Sequence, residues 1–207
     1  QQRGNGNALP RPPWQAQRSG FRREVFFQRR HDLLFAADAG AQIGHLTLVR
    51  DGRDCPCGNR GCWEQYASGN ALVREARSLL AAQSPMAHDI EAEIGGDLTK
   101  LTGPMITQAA AAGDATAAEL LAEIGSWLGT GLANLASAFD PGAFVIGGGV
   151  SAAGEMLLKP AREAFRKQLP GRGYRPEARI VQAQLGNEAG LIGAADLARS
   201  AVEEDIA

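Results

Sequence analysis

A chain of 207 residues, 44% hydrophobic and 21% charged, is long enough to bury a core of its own, as one domain or one and a half. Its net charge of -2 argues against a surface given over to nucleic acid and against an acidic tail. No apolar run approaches the roughly 20 residues needed to cross a bilayer, residues 1–20 lack the apolar stretch of a signal peptide, and three cysteines used together suit a reducing compartment, so a cytoplasmic location is the default.

Residues 1–31 carry Arg3, Arg11, Arg18, Arg22, Arg23, Arg29 and Arg30 against Glu24 alone, a net of +6. With Pro10, Pro12 and Pro13 and no period of 3.6 or 2, residues 1–37 are expected to be a disordered or non-native lead-in. A nucleic-acid-binding arm or an ordinary solvated segment are the other readings, the arm lacking any aromatic platform or reader module. Residues 32–37 suit a strand or a helical turn, and residues 38–42 a loop hinged on Gly40. Residues 43–49 place Ile43, Leu46 and Leu48 among β-branched Thr47 and Val49, which predicts a strand closed by the Asp51-Gly52 turn.

The next stretch organises the rest. His45, Cys55, Cys57 and Cys62 lie within 18 residues, and all three cysteines fall in a window of eight. That is the ligand set of a Cys3His zinc site, in which thiolate and imidazole donors share one tetrahedral ion. Gly52, Pro56, Gly58, Asn59 and Gly61 supply tight turns to aim the donors at one centre. Free thiols or a disulfide are the alternatives; a disulfide leaves one sulfur over, and Cys55 and Cys57 are too close in sequence to join comfortably. Glu64 follows two residues after the last cysteine, so a carboxylate is held beside the metal loop.

Residues 63–83 predict a helix with Tyr66, Leu72, Val73, Ala76, Leu79 and Leu80 mostly on one face, bent at Ser68-Gly69-Asn70 with Asn70 as candidate N-cap and stopped by Pro85. Residues 84–102 predict a loop with a short helix. Residues 104–112 predict a helix opened by Pro104 and closed at Gly113. Asp114 or Thr116 then caps a long helix through residue 138, interrupted by Gly125, Gly129 and Gly131. Each of these costs about 0.5–1 kcal/mol relative to alanine, which close helix packing or room for a ligand would offset.

Residues 143–146 predict a buried strand running into Gly147, Gly148 and Gly149. Residues 159–169 follow as a helix with Pro160 in its first turn, 179–183 as a strand and 187–202 as a final helix. Strand alternating with helix after two alanine-rich helices indicates an α/β fold. A glycine triplet at a strand end lets backbone N–H groups approach a nucleotide phosphate, although it lacks both the P-loop ending and the GxGxxG spacing; a plain packing turn is the competing reading.

Taken together, GHLTL, CPCGNRGCWE, GTGLANLASAFDP, VIGGGVS and LGNEAGLIGAADLA resemble the C-terminal domain of the ROK family over about residues 38–202. That family groups bacterial sugar kinases, glucokinase foremost, with sugar-responsive repressors. The resemblance implies an α/β, actin-like (ribonuclease H-like) ATPase fold of which residues 38–207 are the C-terminal half, with the zinc loop at 45–62, and homo-oligomers in the intact protein. It implies zinc ligands His45, Cys55, Cys57 and Cys62, sugar ligands His45, Glu64 and Gln42, and a nucleotide wall at Gly147, Gly148 and Gly149. The cofactors it implies are structural Zn2+, ATP and Mg2+, and the substrate it implies is a hexose, glucose foremost, with no membrane partner and nucleic acid disfavoured.

Three departures accompany the match. Gln42 stands where the family kinases have a glutamate, and arginine-rich text over residues 11–31 replaces a glycine-rich stretch. The phosphate-binding Asp-Gly-Gly-Thr segment and the Asn–Asp pair that supplies the catalytic base are absent, so no catalytic residue is assigned; Asp38 is the nearest acid but wrongly placed. The abrupt change near residue 37 predicts truncation or a reading-frame error upstream, which resequencing the coding DNA tests. An inactive partial kinase is thus expected, with a repressor of the same family or a non-catalytic zinc-stabilised assembly module as alternatives.

Overall fold

The structure is a computed structural model that describes residues 43–82, 96–188, 191–197 and 199. The arginine-rich lead-in, Asp38, Gln42, most of the 84–102 loop and the end of the 187–202 helix lie outside the described residues.

The predicted strand over residues 43–49 does not form. Ile43–His45 is a turn of 3-10 helix, and the extended part is reduced to one antiparallel bridge between Thr47 and Cys62. Two successive amides, Leu48 and Val49, donate to the same Gly61 carbonyl at 2.8 and 3.2 Å, so the segment pairs with the returning cysteine loop and not with a sheet.

Trp63–Gln65 is a further 3-10 turn, and helix α1 runs Gly69–Ala81. Ser68, not Asn70, is its N-cap: extended at φ -128°, it accepts the Ala71 amide at 3.1 Å, which ends one turn and starts the next. Leu72, Ala76 and Leu80 form its buried stripe. Helix α2 is Gly103–Ala112, with Pro104 in its first turn and Gly113 left-handed at φ 104°, as the sequence predicts. Of the 84–102 segment, the described residues hold only the 3-10 turn Leu98–Lys100, capped by Asp97.

Helix α3, Ala115–Phe139, is the spine. Asp114 caps it by accepting the Ala117 amide at 2.7 Å. At its far end Asp140 is itself left-handed, φ 47°, and Arg175 pairs with that carboxylate while donating to the Ala136 carbonyl at 3.0 Å. Strand β1, Ala143–Ile146, then leads through a five-residue 3-10 turn, Gly149–Ala153, into helix α4, Glu155–Gln168. That helix begins four residues earlier than predicted. Pro160 therefore lies inside it, where a missing N–H and ring crowding cost about 3 kcal/mol.

The α3–α4 crossing explains both oddities. A Cβ on Gly125 would overlap the Leu157 carbonyl and come within 2.9 Å of Pro160 Cγ, and one on Gly129 would come within 2.9 Å of both Ala161 C and Phe165 N. Between packing and ligand room, these two glycines serve packing.

Strand β2, Arg179–Gln182, pairs in parallel with β1, Ala143 opposite Arg179 and Ile146 opposite Gln182, so β1–α4–β2 is a βαβ unit. Phe144 and Ile180 face inward, the Phe144 ring edge-on to Phe165 at 6.1 Å, while Val145 and its partner Val181 face out. Residues 191–197 are helical and exposed. One buried cluster joins Leu72, Ile106, Leu121, Ile124 and Leu157; a second joins Trp63, Leu132, Leu135, Leu158, Phe165, Leu169 and Ile180 and lies beneath the cysteine loop. Among the described residues no helix is long and apolar enough to cross a membrane.

Candidate functional site

The cysteine loop is a knot of short backbone bonds. Asp51, left-handed at φ 54°, turns the chain, and the Asp54–Arg60 antiparallel bridge folds the loop tip back on itself. The Gly61 amide donates to the Arg53 carbonyl at 2.7 Å and the Cys55 amide to Asn59 at 2.9 Å. Gly61 has φ 74°, and a Cβ there would overlap the Val49 carbonyl, so both conformation and space require glycine.

This folding brings His45, Cys55, Cys57 and Cys62 together, all four donor atoms within 4.8 Å of one another. Cys57 Sγ lies 3.6 Å from Cys62 Sγ, and His45 Nδ1 lies 3.4 Å from Cys55 Sγ. A tetrahedral ion with Zn–S of about 2.3 Å and Zn–N of about 2.0–2.1 Å sets its ligands about 3.5–3.8 Å apart, so these separations suit zinc. They do not suit a disulfide, and the three cysteines are free.

The electrostatics agree. Cys62 is fully buried, and burial, together with the hydrogen bonds its thiol donates to the Cys57 and Cys55 sulfurs, pushes it up to about 12. The Asn59 backbone N–H pulls exposed Cys57 below its ordinary value. At Cys55 the Cys57 amide pulls down, but burial and the Cys57 and Glu64 side chains raise it overall. Three sulfurs this close become thiolates together only when a cation shares the charge, which is what a divalent metal supplies.

Around the donors lies a polar shell of which the sequence revealed only part. Glu64 Oε1 is 3.5 Å from His45 Nδ1 and accepts from the Cys55 thiol at 3.3 Å, so the predicted pair of sugar ligands is adjacent. With Nδ1 turned to the cysteines, Nε2 is left on the far side of the imidazole. Gln65 and Arg74 were not predicted: Gln65 Nε2 reaches Glu64 Oε1 at 3.3 Å and Cys55 Sγ at 3.5 Å, and Arg74 donates to Gln65 Oε1 at 3.2 Å. Gln65 adjoins the acidic residue that closes the motif, but Arg74 lies nine positions on, across the break at Ser68, and no local spacing signals it.

The knot is seated on α3. Trp63 donates its indole N–H to the Trp127 carbonyl at 2.9 Å, and a Cβ on Gly131 would overlap its ring. Tyr66 packs against Trp127 with centroids 4.9 Å apart and rings tilted by 43°, and its hydroxyl accepts the Arg53 amide at 2.8 Å. The third helix glycine therefore also answers to packing, against the knot itself.

The glycine triplet lies where predicted, at the C-terminal end of β1. Gly148 has φ 86°, its carbonyl takes the Ser151 amide at 3.1 Å and hydroxyl at 2.7 Å, and nothing lies within 4 Å of a Cβ built on Gly148 or Gly149. The backbone is open to a ligand. The helix expected directly behind it is delayed, since α4 begins only at Glu155. Val150 Cγ2 would lie 3.1 Å from a Cβ on Gly69, which joins the triplet's turn to the start of α1 just after the knot. Gln42 lies outside the described residues.

A family model described as the ROK family matches residues 37–201. A glucokinase of Streptomyces coelicolor is 47% identical over 159 residues, 77% of this chain and 50% of that protein. A crystal structure of a ROK family glucokinase from Streptomyces griseus, in complex with glucose and AMPPNP, is 49% identical with a TM-score of 0.71, over 76% of this chain and 51% of that one. The DNA-binding transcriptional repressor Mlc of Escherichia coli is 29% identical over 167 residues, 80% of this chain and 38% of its own length. The chain spans about half the length of the glucokinases it matches. Its α/β architecture is that of the ROK and actin-like ATPase superfamily, as the sequence predicts. Matched along most of its sequence and its backbone, this chain belongs to the ROK family.

Proposed function

We propose that the chain is the sugar-contacting half of a glucokinase, an enzyme that phosphorylates the 6-hydroxyl of glucose with ATP and Mg2+. The observation that carries this reading is the 49% identity and 0.71 TM-score to the Streptomyces griseus glucokinase in complex with glucose and AMPPNP. The family match beginning at residue 37 supports placing the domain at 38–207 and treating 1–37 as foreign to it.

In this reading His45, Cys55, Cys57 and Cys62 hold a structural zinc ion, supported by their donor separations. Zinc when bound supplies a rigid cross-link and a fixed positive charge. The chain's own residues do the rest. His45 Nδ1 faces the cysteines and leaves Nε2 for a sugar hydroxyl, while Glu64, 3.5 Å from that ring, accepts from a second hydroxyl. Gln42, three residues before His45, adds a neutral hydrogen-bonding group. Gly147, Gly148 and Gly149 form the adenosine side of the nucleotide wall, a reading supported by the open space at Gly148 and Gly149.

Phosphoryl transfer is chiefly positioning and charge stabilisation, with a carboxylate taking the hydroxyl proton. The 207 residues contain no Asp-Gly-Gly-Thr segment and none of the family's paired Asn–Asp base. We therefore expect the purified chain to bind one zinc ion and to show no glucose phosphorylation in a coupled assay with ATP. Measurable turnover would overturn the inactive reading, and a chain without zinc would overturn the metal site. A repressor of the same family is the second reading, favoured less because Mlc matches at 29% against 47% for the glucokinase. Homo-oligomers are proposed for the intact protein in a cytoplasmic setting.

A further inference from the structure

An open hollow of about 290 Å³ beside the knot is lined by Arg53, Asp54, Arg60, Gln65 and Arg74. Its guanidinium groups are already engaged. Arg53 pairs with Glu75 at 2.8 Å, Arg60 with Asp54 at 3.1 Å, and Arg74 with Glu75 at 3.2 Å. What the hollow exposes is the support of its inner wall. We infer that Gln65, held by Arg74, is a positioning residue that couples the Glu64 carboxylate to the metal knot.

The orientation of the amide follows from its neighbours. Arginine only donates, so the atom 3.2 Å from Arg74 Nη1 is the Gln65 oxygen, and Nε2 faces the other way. Arg74 Nη2 also donates to the Gln65 backbone carbonyl and to Glu75, which fixes the guanidinium from two sides. On the other side, the two N–H bonds of Nε2 have two acceptors, Glu64 Oε1 at 3.3 Å and Cys55 Sγ at 3.5 Å.

Metal binding makes this bridge necessary. Without a metal, Glu64 Oε1 accepts from the Cys55 thiol and has His45 Nδ1 within 3.5 Å. A metal takes Cys55 as a thiolate and the Nδ1 lone pair of His45, so neither atom can then donate to Glu64. A carboxylate and a thiolate would face each other across 3.3 Å with repulsion between them. Gln65 Nε2 is the donor placed to satisfy both. It holds Glu64 against the loaded knot, with Arg74 preventing the amide from turning over.

The inference rests on the metal reading proposed above, and its test separates the two. Zinc affinity is measured by competition with a chromophoric chelator for the full chain, for Gln65→Leu, Glu64→Gln and the double variant. The expected result is about a tenfold weaker affinity for Gln65→Leu, as for other groups that support metal ligands. In the Glu64→Gln background the same change is expected to cost less than about threefold, since the charge that needed bridging is gone. Cobalt(II) loaded in place of zinc is expected to show a shifted sulfur-to-metal charge-transfer band in Gln65→Leu with an unchanged far-ultraviolet dichroism spectrum, which a general loss of structure would not give. If Gln65→Leu does not fold, Gln65→Glu keeps the size, removes the donors and is expected to bind zinc more weakly still. Wild-type affinity in Gln65→Leu, or equal losses in both backgrounds, overturns the role of Gln65 and leaves the metal site standing; an original chain that takes up no zinc overturns both.

Discussion

At the scale of single residues, the chemistry of the site is that of crowded sulfur. Cys62 is buried and its thiol is pushed up to about 12, so metal uptake must expel protons, and zinc affinity is expected to fall steeply as the solution is made acidic. Cys57→Ser is expected to reduce bound zinc from one equivalent to near none, read by elemental analysis of protein purified without chelator. A separate carboxylate sets an acid-side prediction. The Thr99 hydroxyl and amide hold Asp97 below its ordinary 3.8. A depressed folded-state value contributes stability above the unfolded value and loses it as pH falls through the folded one. Asp97→Asn is therefore expected to flatten the acid limb of thermal stability, most visibly just below pH 4, in melts taken between about pH 2 and 6.

At the scale of elements, the three glycines of α3 provide the sharpest test, because propensity and packing predict opposite signs. Alanine in place of a helix glycine gains about 1 kcal/mol in propensity, whereas forcing a methyl into a filled contact costs about 1–3 kcal/mol. At Gly129 the obstacle is the Ala161 backbone and at Gly131 it is a buried indole, neither of which can swing aside. Gly129→Ala and Gly131→Ala are expected to lower the unfolding free energy by up to about 2 kcal/mol in denaturant melts, packing outweighing propensity. Gly103→Ala, at a helix start with nothing within 4 Å, is the control and is expected to be neutral or slightly stabilising.

The same elements mark how far the sequence could be read. Helices α2 and α3 and strands β1 and β2 were legible because Gly113, Asp114, Pro104 and the short apolar runs act locally. The cluster of His45, Cys55, Cys57 and Cys62 was legible for the same reason, packed into 18 residues. What escaped depends on contacts across the chain. Pro160 reads as a helix start until Gly125 is seen to leave room for its ring. Residues 43–49 read as a strand because alternation does not reveal that their partner is a returning loop. The shell of Gln65 and Arg74 joins a 3-10 turn to a helix capped afresh at Ser68, and only the fold makes them neighbours.

At the largest scale, the unusual feature is a parallel ladder that, among the described residues, is covered on one side only. Parallel strands are ordinarily buried on both faces, yet Val145 is 62% and Val181 38% exposed, opposite each other in register. An uncovered apolar strip is a site of association. The isolated chain is accordingly expected to self-associate with rising concentration, and Val145→Lys to suppress this in sedimentation velocity runs without lowering the melting temperature.

Trp63 follows Cys62 directly, and its ring is keyed into the notch left by Gly131 in α3. Anything that tugs the cysteine loop therefore tugs α3, and through its glycine-tight crossing also α4. The loop is thus no flap. If a sugar becomes enclosed here, this side serves as the anvil, and the travel belongs to whatever comes down on it.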